Sequence, residues 1–280
     1  MEGGAGAGSR RGVMSLKPLP TVVSLANMRE SGAPICRPCA PVGPRSAQDC
    51  LQCEVRHLAI CAALKPEELL SLERIVVGVA LPAGKTLFSE GDSADALYHL
   101  TDGTMRLFKL LGDGRRQIMG FAFAGDLLGL GVREGFTASA EAVDDARLCR
   151  FPVKDLNRLF RAFPEMEKRL LDAARQRLAA AEDQMLLLGR KSPMEKLASF
   201  LLDASARARL AGRPDNPIVL AMSRGDIADF LGLTVETVSR SFSRLRAEKV
   251  IALLEPTLVR LVDLERLEEL AAGDNDNDND

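Results

Sequence analysis

The chain has 280 residues, 46% hydrophobic and 27% charged, a balance suited to a globular protein with room for two modest domains. No apolar run approaches the roughly 18–20 residues of a membrane span. The opening MEGGAGAGSRRGVMSLKPLP lacks the continuous apolar stretch of a secretory signal, so the expectation is a cytoplasmic protein without a membrane partner. The formal net charge of −2 does not exclude nucleic acid: residues 189–250 carry 11 Lys/Arg against 7 Asp/Glu, net +4, and phosphate contacts follow the local field.

Residues 1–48 are rich in Gly, Pro, Ala and Ser without a sustained period and read as a disordered extension. Residues 49–163 form a cysteine-bearing domain. In its later part, short apolar runs alternate with turn signals at Pro82–Gly84, Gly91–Asp92, Asp102–Gly103, Gly112–Gly114 and Gly125–Asp126. Turns at this spacing predict an antiparallel sandwich or barrel, with strands at Leu97–Leu100, Met105–Phe108 and Gln117–Phe121.

Pro164 opens a long helix over residues 164–188, ~37 Å at 1.5 Å per residue. One apolar stripe runs Leu171, Ala174, Leu178, Ala181, Met185, Leu188, a coiled-coil-like spacing. A second holds Ala173, Ala180 and Leu187, with Asp183 set into it. Two stripes imply two partners, the β-domain and a second copy of the chain.

Residues 189–268 form a second domain: a helix over Pro193–Ala208, a Gly/Pro loop at 212–217, then Ser223-RGDIADFLGLTVETVSRSFSRLRAEK-Val250. Ser223 N-caps a helix through Leu231, Gly232 supplies a left-handed turn, and Thr234 N-caps a helix from Val235 to about Glu248. Val235, Val238, Phe242 and Leu245 are placed inward; Glu236, Ser239, Arg240, Ser243 and Arg244 lie opposite. This is a helix-turn-helix whose outward face suits the major groove of double-stranded DNA: Arg pairs with guanine O6 and N7, and Glu accepts from cytosine N4. Ile251–Leu261, interrupted by Glu255-Pro256, reads as a hairpin wing, and residues 269–280 as an acidic disordered tail.

Five of the six cysteines cluster at Cys36, Cys39, Cys50, Cys53 and Cys61, with Cys149 far downstream. The two CxxC pairs are compatible with zinc, with His57 as a substitute ligand, or with an iron–sulfur cluster. A redox dithiol lacks the usual βαβ context. Spacing alone does not choose. An enzyme is not expected: the two histidines, His57 and His99, have no evident nucleophile and orienting acid, no phosphate-binding glycine loop is present, and His99 reads as structural.

The order of β-rich domain, long helix and helix-turn-helix resembles the Crp/Fnr superfamily of bacterial regulators. The stretches Gly84-KTLFSEGD, Leu127-LG, Glu182-DQMLLLGRK and Ser223-RGDIADFLGLTVETVSR are similar to the oxygen-responsive Fnr type. The resemblance implies an α+β fold: an antiparallel β-roll of jelly-roll type, a dimerisation helix and a C-terminal winged helix-turn-helix. It implies a [4Fe–4S] cluster on Cys50, Cys53, Cys61 and Cys149, leaving Cys36 and Cys39 without a role. It implies a homodimer on an inverted repeat of TTGAT type, read by Glu236, Ser239 and Arg240 with Arg244 on phosphate. In this reading Ala180, Asp183 and Leu187 make a dimer switch, because like charges at a seam leave dimerisation marginal. The exposed, charged loop Leu111–Gln117 is a candidate contact for RNA polymerase. Cyclic nucleotide is not expected: relatives that bind it carry Gly-Glu and then Arg-Ser, whereas this chain has Gly129-Leu130 followed by Gly135-Phe-Thr-Ala-Ser139, and the pocket is expected to lack counter-charge.

Overall fold

The computed structural model describes residues 40–44, 47–130 and 135–273. Cys36, Cys39 and the Asp-Asn repeat from Asp274 lie outside the described residues.

The first domain carries two antiparallel sheets. One runs β1-β2-β9-β4-β7 and the other β3-β8-β5-β6. The strands are β1 (Ala40–Pro44), β2 (Val77–Leu81), β3 (Thr86–Phe88), β4 (Ala96–Asp102), β5 (Thr104–Leu110), β6 (Arg116–Phe123), β7 (Leu127–Leu128), β8 (Ser139–Ala142) and β9 (Ala146–Pro152). The three expected strands are β4, β5 and β6, each longer than its apolar kernel. The turns form where glycine was read. Gly103 joins β4 to β5 at φ 84°, and a Cβ there would stand 2.5 Å from the Asp145 carbonyl oxygen, so both the conformation and the space require glycine. Leu81, Leu100, Met105, Leu128 and Leu148 fill the core between the sheets. Strand β1 pairs with β2, so part of the extension expected to be disordered is a strand.

Between β1 and β2 lie α1 (Ala47–Leu51), three 3-10 turns (Arg56–Leu58, Ile60–Ala63, Pro66–Glu68) and α2 (Leu69–Glu73). After β9 come α3 (Val153–Ala162) and α4 (Pro164–Arg190). Helix α4 packs on the first domain through its first two turns, where Met166 is buried and Leu170 partly so. Beyond them Leu171, Leu178, Met185 and Leu188 are exposed. The expectation that one stripe lies on the β-domain is therefore corrected: the buried apolar packing of the helix on that domain ends after about two turns.

The second domain contains α5 (Pro193–Leu210), β10 (Ile218–Val219), α6 (Arg224–Leu231), α7 (Val235–Ala247), β11 (Ile251–Leu253), β12 (Leu258–Leu261) and α8 (Leu264–Ala272). Capping boxes start α5 (Ser192 with Glu195) and α6 (Ser223 with Asp226). Gly232, at φ 62°, makes the tight turn between α6 and α7. Strands β11 and β12 are the expected wing, extended by β10. Helix α8 runs through residues assigned to the acidic tail: Leu270 and Ala271 are buried against the domain core.

Candidate functional site

The recognition helix α7 is built from its cap outward. Thr234 Oγ1 accepts from the Thr237 amide at 3.2 Å, satisfying one of the free N–H groups of the first turn. Val238, Phe242 and Leu245 are buried, while Glu236, Ser239, Arg240, Ser243 and Arg244 are all exposed on the opposite face. Val235 departs from the expectation: it is 45% exposed, because the first helical residue projects past the end of the domain core. An exposed aliphatic side chain there is suited to a thymine methyl.

The polar side chains of α7 are partly pre-set. The Glu236 carboxyl lies below its ordinary value, through a hydrogen bond from its own backbone, one from Thr234 and the nearby Arg240 charge, so at neutral pH it is an acceptor only. Ser239 Oγ donates to the Val235 carbonyl at 2.8 Å, which leaves it lone pairs with which to accept from a base amino group. Arg244 Nε donates to Glu248 Oε1 at 2.8 Å, so its charge is partly offset within the helix. Arg224, absent from the sequence reading, stacks its guanidinium 3.3 Å from the Phe242 ring centroid and ties the start of α6 to α7.

Helix α6 docks on the β5–β6 hairpin. Asp226 Oδ1 accepts from Arg106 Nη1 at 3.1 Å and from Arg116 Nη2 at 2.7 Å. Arg116 also donates to Asp229, and Gln117 Nε2 donates to the Asp229 carbonyl at 2.7 Å. Glu141 on β8 closes the network through Arg106. Around it Phe108, Ile118 and Phe121 of the hairpin share one apolar cluster with Ile227, Val238 and Phe242. Sequence reasoning missed this joint because its partners lie more than 100 residues apart and leave no local period.

The cysteines come from two places. Cys50 lies in the last turn of α1, Cys53 follows the helix, and Cys61 lies in the Ile60–Ala63 turn. Cys149 sits in β9, paired with Gly78 on one side and His99 on the other. Cys50, Cys61 and Cys149 are buried in one cluster with Leu127, Phe151 and Met166. Cys53 is half-buried beside Val55, Ala124 and Ala211. None of the four forms a disulfide. Burial, with Cys50 and Cys53 nearby, pushes the Cys61 thiol up to about 12. The donor set fits a thiolate-bound group: four thiols, three enclosed by apolar side chains. They are not drawn into ligand geometry, since among the described residues no three His, Cys, Asp or Glu side chains are placed to hold a metal ion. His99 is buried with Nε2 at 3.1 Å from the Gly125 carbonyl oxygen, the structural role expected of it.

The Crp-like helix-turn-helix domain family matches residues 195–270, and the cyclic nucleotide-binding domain family matches residues 79–163. The chain is 45% identical over 222 residues to the transcriptional activatory protein AadR of Rhodopseudomonas palustris, covering 79% of this chain and 92% of that one. The chain belongs to the Crp/Fnr family of transcription regulators. It is 36% identical to the transcriptional activator protein FnrL of Cereibacter sphaeroides, over 83% of this chain and 96% of FnrL. The solved structure of FixK2 from Bradyrhizobium japonicum superposes with a TM-score of 0.66 at 33% identity, covering 70% of this chain and 97% of that one. These relatives are regulators and not enzymes.

The β-roll contains a cavity of about 200 Å³ lined by Phe88, Leu107, Leu128, Gly129 and Phe136, among others. Lys109 and Arg177 also line it, which corrects the expectation of a pocket without positive charge. Sequence reasoning missed Arg177 because it arrives from α4. The residues expected to make a dimer switch have unequal surroundings: Ala180 and Asp183 are exposed, but Leu187 is half-buried against the helix-turn-helix core of its own chain. Gln184 Nε2 donates to the Phe230 carbonyl at 3.1 Å nearby. That end of the second stripe is taken by the chain's own DNA-binding domain.

Proposed function

We propose that the chain is a dimeric, sequence-specific DNA-binding regulator that responds to oxygen through a [4Fe–4S] cluster held by Cys50, Cys53, Cys61 and Cys149. The observation that carries this is the burial of Cys149 in one cluster with Cys50 and Cys61, across almost 90 residues of sequence. Bound there, a cluster supplies an oxygen-labile centre. Cys149 is fixed in the middle of a five-stranded sheet, while Cys50 rides on a short helix, Cys53 on the loop after it and Cys61 on a 3-10 turn, whose hydrogen bonds are weaker. A cluster held by the four thiols would tie residues 50–61 to β9. A switch relying on the Cys61 thiolate alone is disfavoured, because a thiol raised to about 12 is protonated at neutral pH.

Glu236, Ser239 and Arg240 read base edges in each half of a TTGAT-type inverted repeat, and Arg244 contacts phosphate. Two copies pair along the exposed stripe Leu171, Leu178, Met185 and Leu188, whose spacing suits a helical seam. Asp183 lies on the face turned away from that stripe, so the marginal charge expected at the seam is not assigned to it. The Leu111–Gln117 loop offers exposed Leu111 beside charged Asp113 and Arg115, a surface suited to RNA polymerase. Cyclic nucleotide is not proposed as the effector: among the described residues no carboxylate lines the cavity to hold a ribose hydroxyl, and of its two cations Lys109 is already paired with Glu90.

The test is the absorption spectrum of anaerobically purified protein with iron and sulfide analysis. About four irons and four sulfides per chain, with visible absorbance that bleaches in air, are expected for this cluster type. A colourless protein holding zinc or no metal after anaerobic reconstitution would contradict it.

A further inference from the structure

The cysteine segment touches the DNA-binding domain of its own chain directly. His57 bridges two backbone carbonyls: Nε2 lies 2.9 Å from the Leu210 oxygen and Nδ1 lies 3.0 Å from the Glu54 oxygen. A carbonyl only accepts, so the ring must donate, and a neutral ring serves one of the two at a time. Leu210 is the last residue of α5, and Ala211 beyond it packs with Val55, which is 1% exposed, and with Ala124 and Cys53. On the other side Leu58 lies against Gly125 so closely that a Cβ there would stand 2.4 Å from Leu58 Cδ1. Arg169 of α4 donates to the His57 carbonyl at 3.2 Å. Residues 53–58 are thus held between the β6–β7 turn, α4 and the end of α5. Ion pairs fix the same end of the DNA-binding domain to the β-roll, Arg207 with Asp126 at 3.3 Å and Arg213 with Asp102 at 2.6 Å.

We infer that residues 53–58 are a strut that transmits the state of the cysteine site to the DNA-binding domain within one chain, with Val55 and His57 as positioning residues. Helix α5 completes the path: its buried Leu197 and Leu201 share a core with Val238 and Phe242 of the recognition helix. Reordering around Cys53 shifts the contact at Leu210–Ala211, and α5 carries that shift to α7 as one packed body. This route is separate from pairing along α4, so it changes DNA affinity at constant dimer content. It rests on the proposal that the cysteines are the sensor, but the contact itself needs no metal.

The test compares the full-length wild type with His57→Ala, His57→Gln and Val55→Ala, each metal-free and after reconstitution with iron and sulfide. Hydrogen exchange is read at the 211–213 amides, which bond back to Arg207, Ala208 and Arg209. Affinity is read on a duplex carrying an inverted TTGAT repeat, with dimer content from sedimentation and iron from chemical analysis. Loss of the bridge in His57→Ala is expected to speed exchange at 211–213 by about three- to tenfold and to weaken DNA binding several-fold at equal dimer content. His57→Gln, whose side-chain amide can donate to the Leu210 oxygen, is expected to restore both. Reconstitution is expected to slow the same amides in the wild type and not in His57→Ala. Unchanged exchange in both His57→Ala and Val55→Ala, or DNA binding that falls only in step with dimer loss, would overturn the strut. Wild-type protein that takes up no iron would sink the cluster proposal instead and leave the metal-free comparison intact.

Discussion

Asp226 Oδ1 accepts from Arg116 Nη2 at 2.7 Å across 110 residues of chain, while its Oδ2 accepts from the Ser223 hydroxyl at 2.8 Å. One carboxylate therefore caps α6 and fastens it to the β-roll. Removing one partner of a buried ion network leaves the others without compensation, which costs about 3–5 kcal/mol when fully buried and less where the arginines are partly wet. Asp226→Ala is predicted to destabilise the protein by about 2–4 kcal/mol in urea unfolding. The exposed Asp172→Ala, which loses only a surface pair with Arg175, is predicted to stay within about 0.5 kcal/mol.

The same carboxylate gives a pH dependence. Burial pushes Asp226 up, but hydrogen bonds from Ser223 and the charges of Arg106 and Arg116 outweigh it and hold the group below its ordinary 3.8. A depressed carboxylate contributes stability above its unfolded value and loses it as pH falls through the folded value. Acid unfolding below pH ~4 is predicted to be shallower in Asp226→Asn than in the wild type, measured as the fall in urea midpoint from pH 5 to pH 2.5.

On the DNA face, Arg240→Ala is predicted to weaken the cognate duplex by about 1–3 kcal/mol and to relax discrimination at one base pair per half-site. Arg244→Ala should instead weaken all sequences alike and reduce the salt slope by about 1. A larger effect of Arg244→Ala on cognate than on random duplex would reverse those two roles.

How far these residues were legible follows from the range of the signals. Ser223, Gly232 and Thr234 act on neighbours within four residues, so caps, turn and the inward triad Val238, Phe242, Leu245 could be read from sequence. Glycine turns likewise marked the strands. Arg106, Arg116 and Asp226 meet only because the second domain folds back onto the hairpin, and nothing local announces that. Helical period showed that α4 has two apolar stripes but not what covers each. Leu187 turned out to meet its own chain, and Leu178 and Met185 to stand exposed. Val235 fits the inward spacing yet lies past the end of the core.

That distribution sharpens the dimer prediction. Leu178 is 62% exposed and Met185 66%, and covering such side chains contributes about 1 kcal/mol or more each. Leu178→Glu is predicted to shift sedimentation to the monomer, and Asp183→Ala to leave the dimer constant within about twofold. A strong rise in dimer content in Asp183→Ala would place the seam on the second stripe instead.

Among the cysteines, Cys149→Ser is predicted to lose most bound iron, as are Cys50→Ser, Cys53→Ser and Cys61→Ser. The double variant Cys36→Ser/Cys39→Ser is predicted to retain it. Retention by Cys149→Ser with loss in the double variant would move the site to the two CxxC pairs.

In the proposed mechanism the thiol site governs DNA binding. The most direct measurement is fluorescence anisotropy on a duplex with an inverted TTGAT repeat, using one iron-loaded sample before and after exposure to air, at fixed salt. Affinity is expected to fall by at least about tenfold in air, with Cys149→Ser binding weakly in both states. Equal affinity before and after air, matched by Cys149→Ser, would contradict it and leave a DNA-binding regulator whose signal is not oxygen.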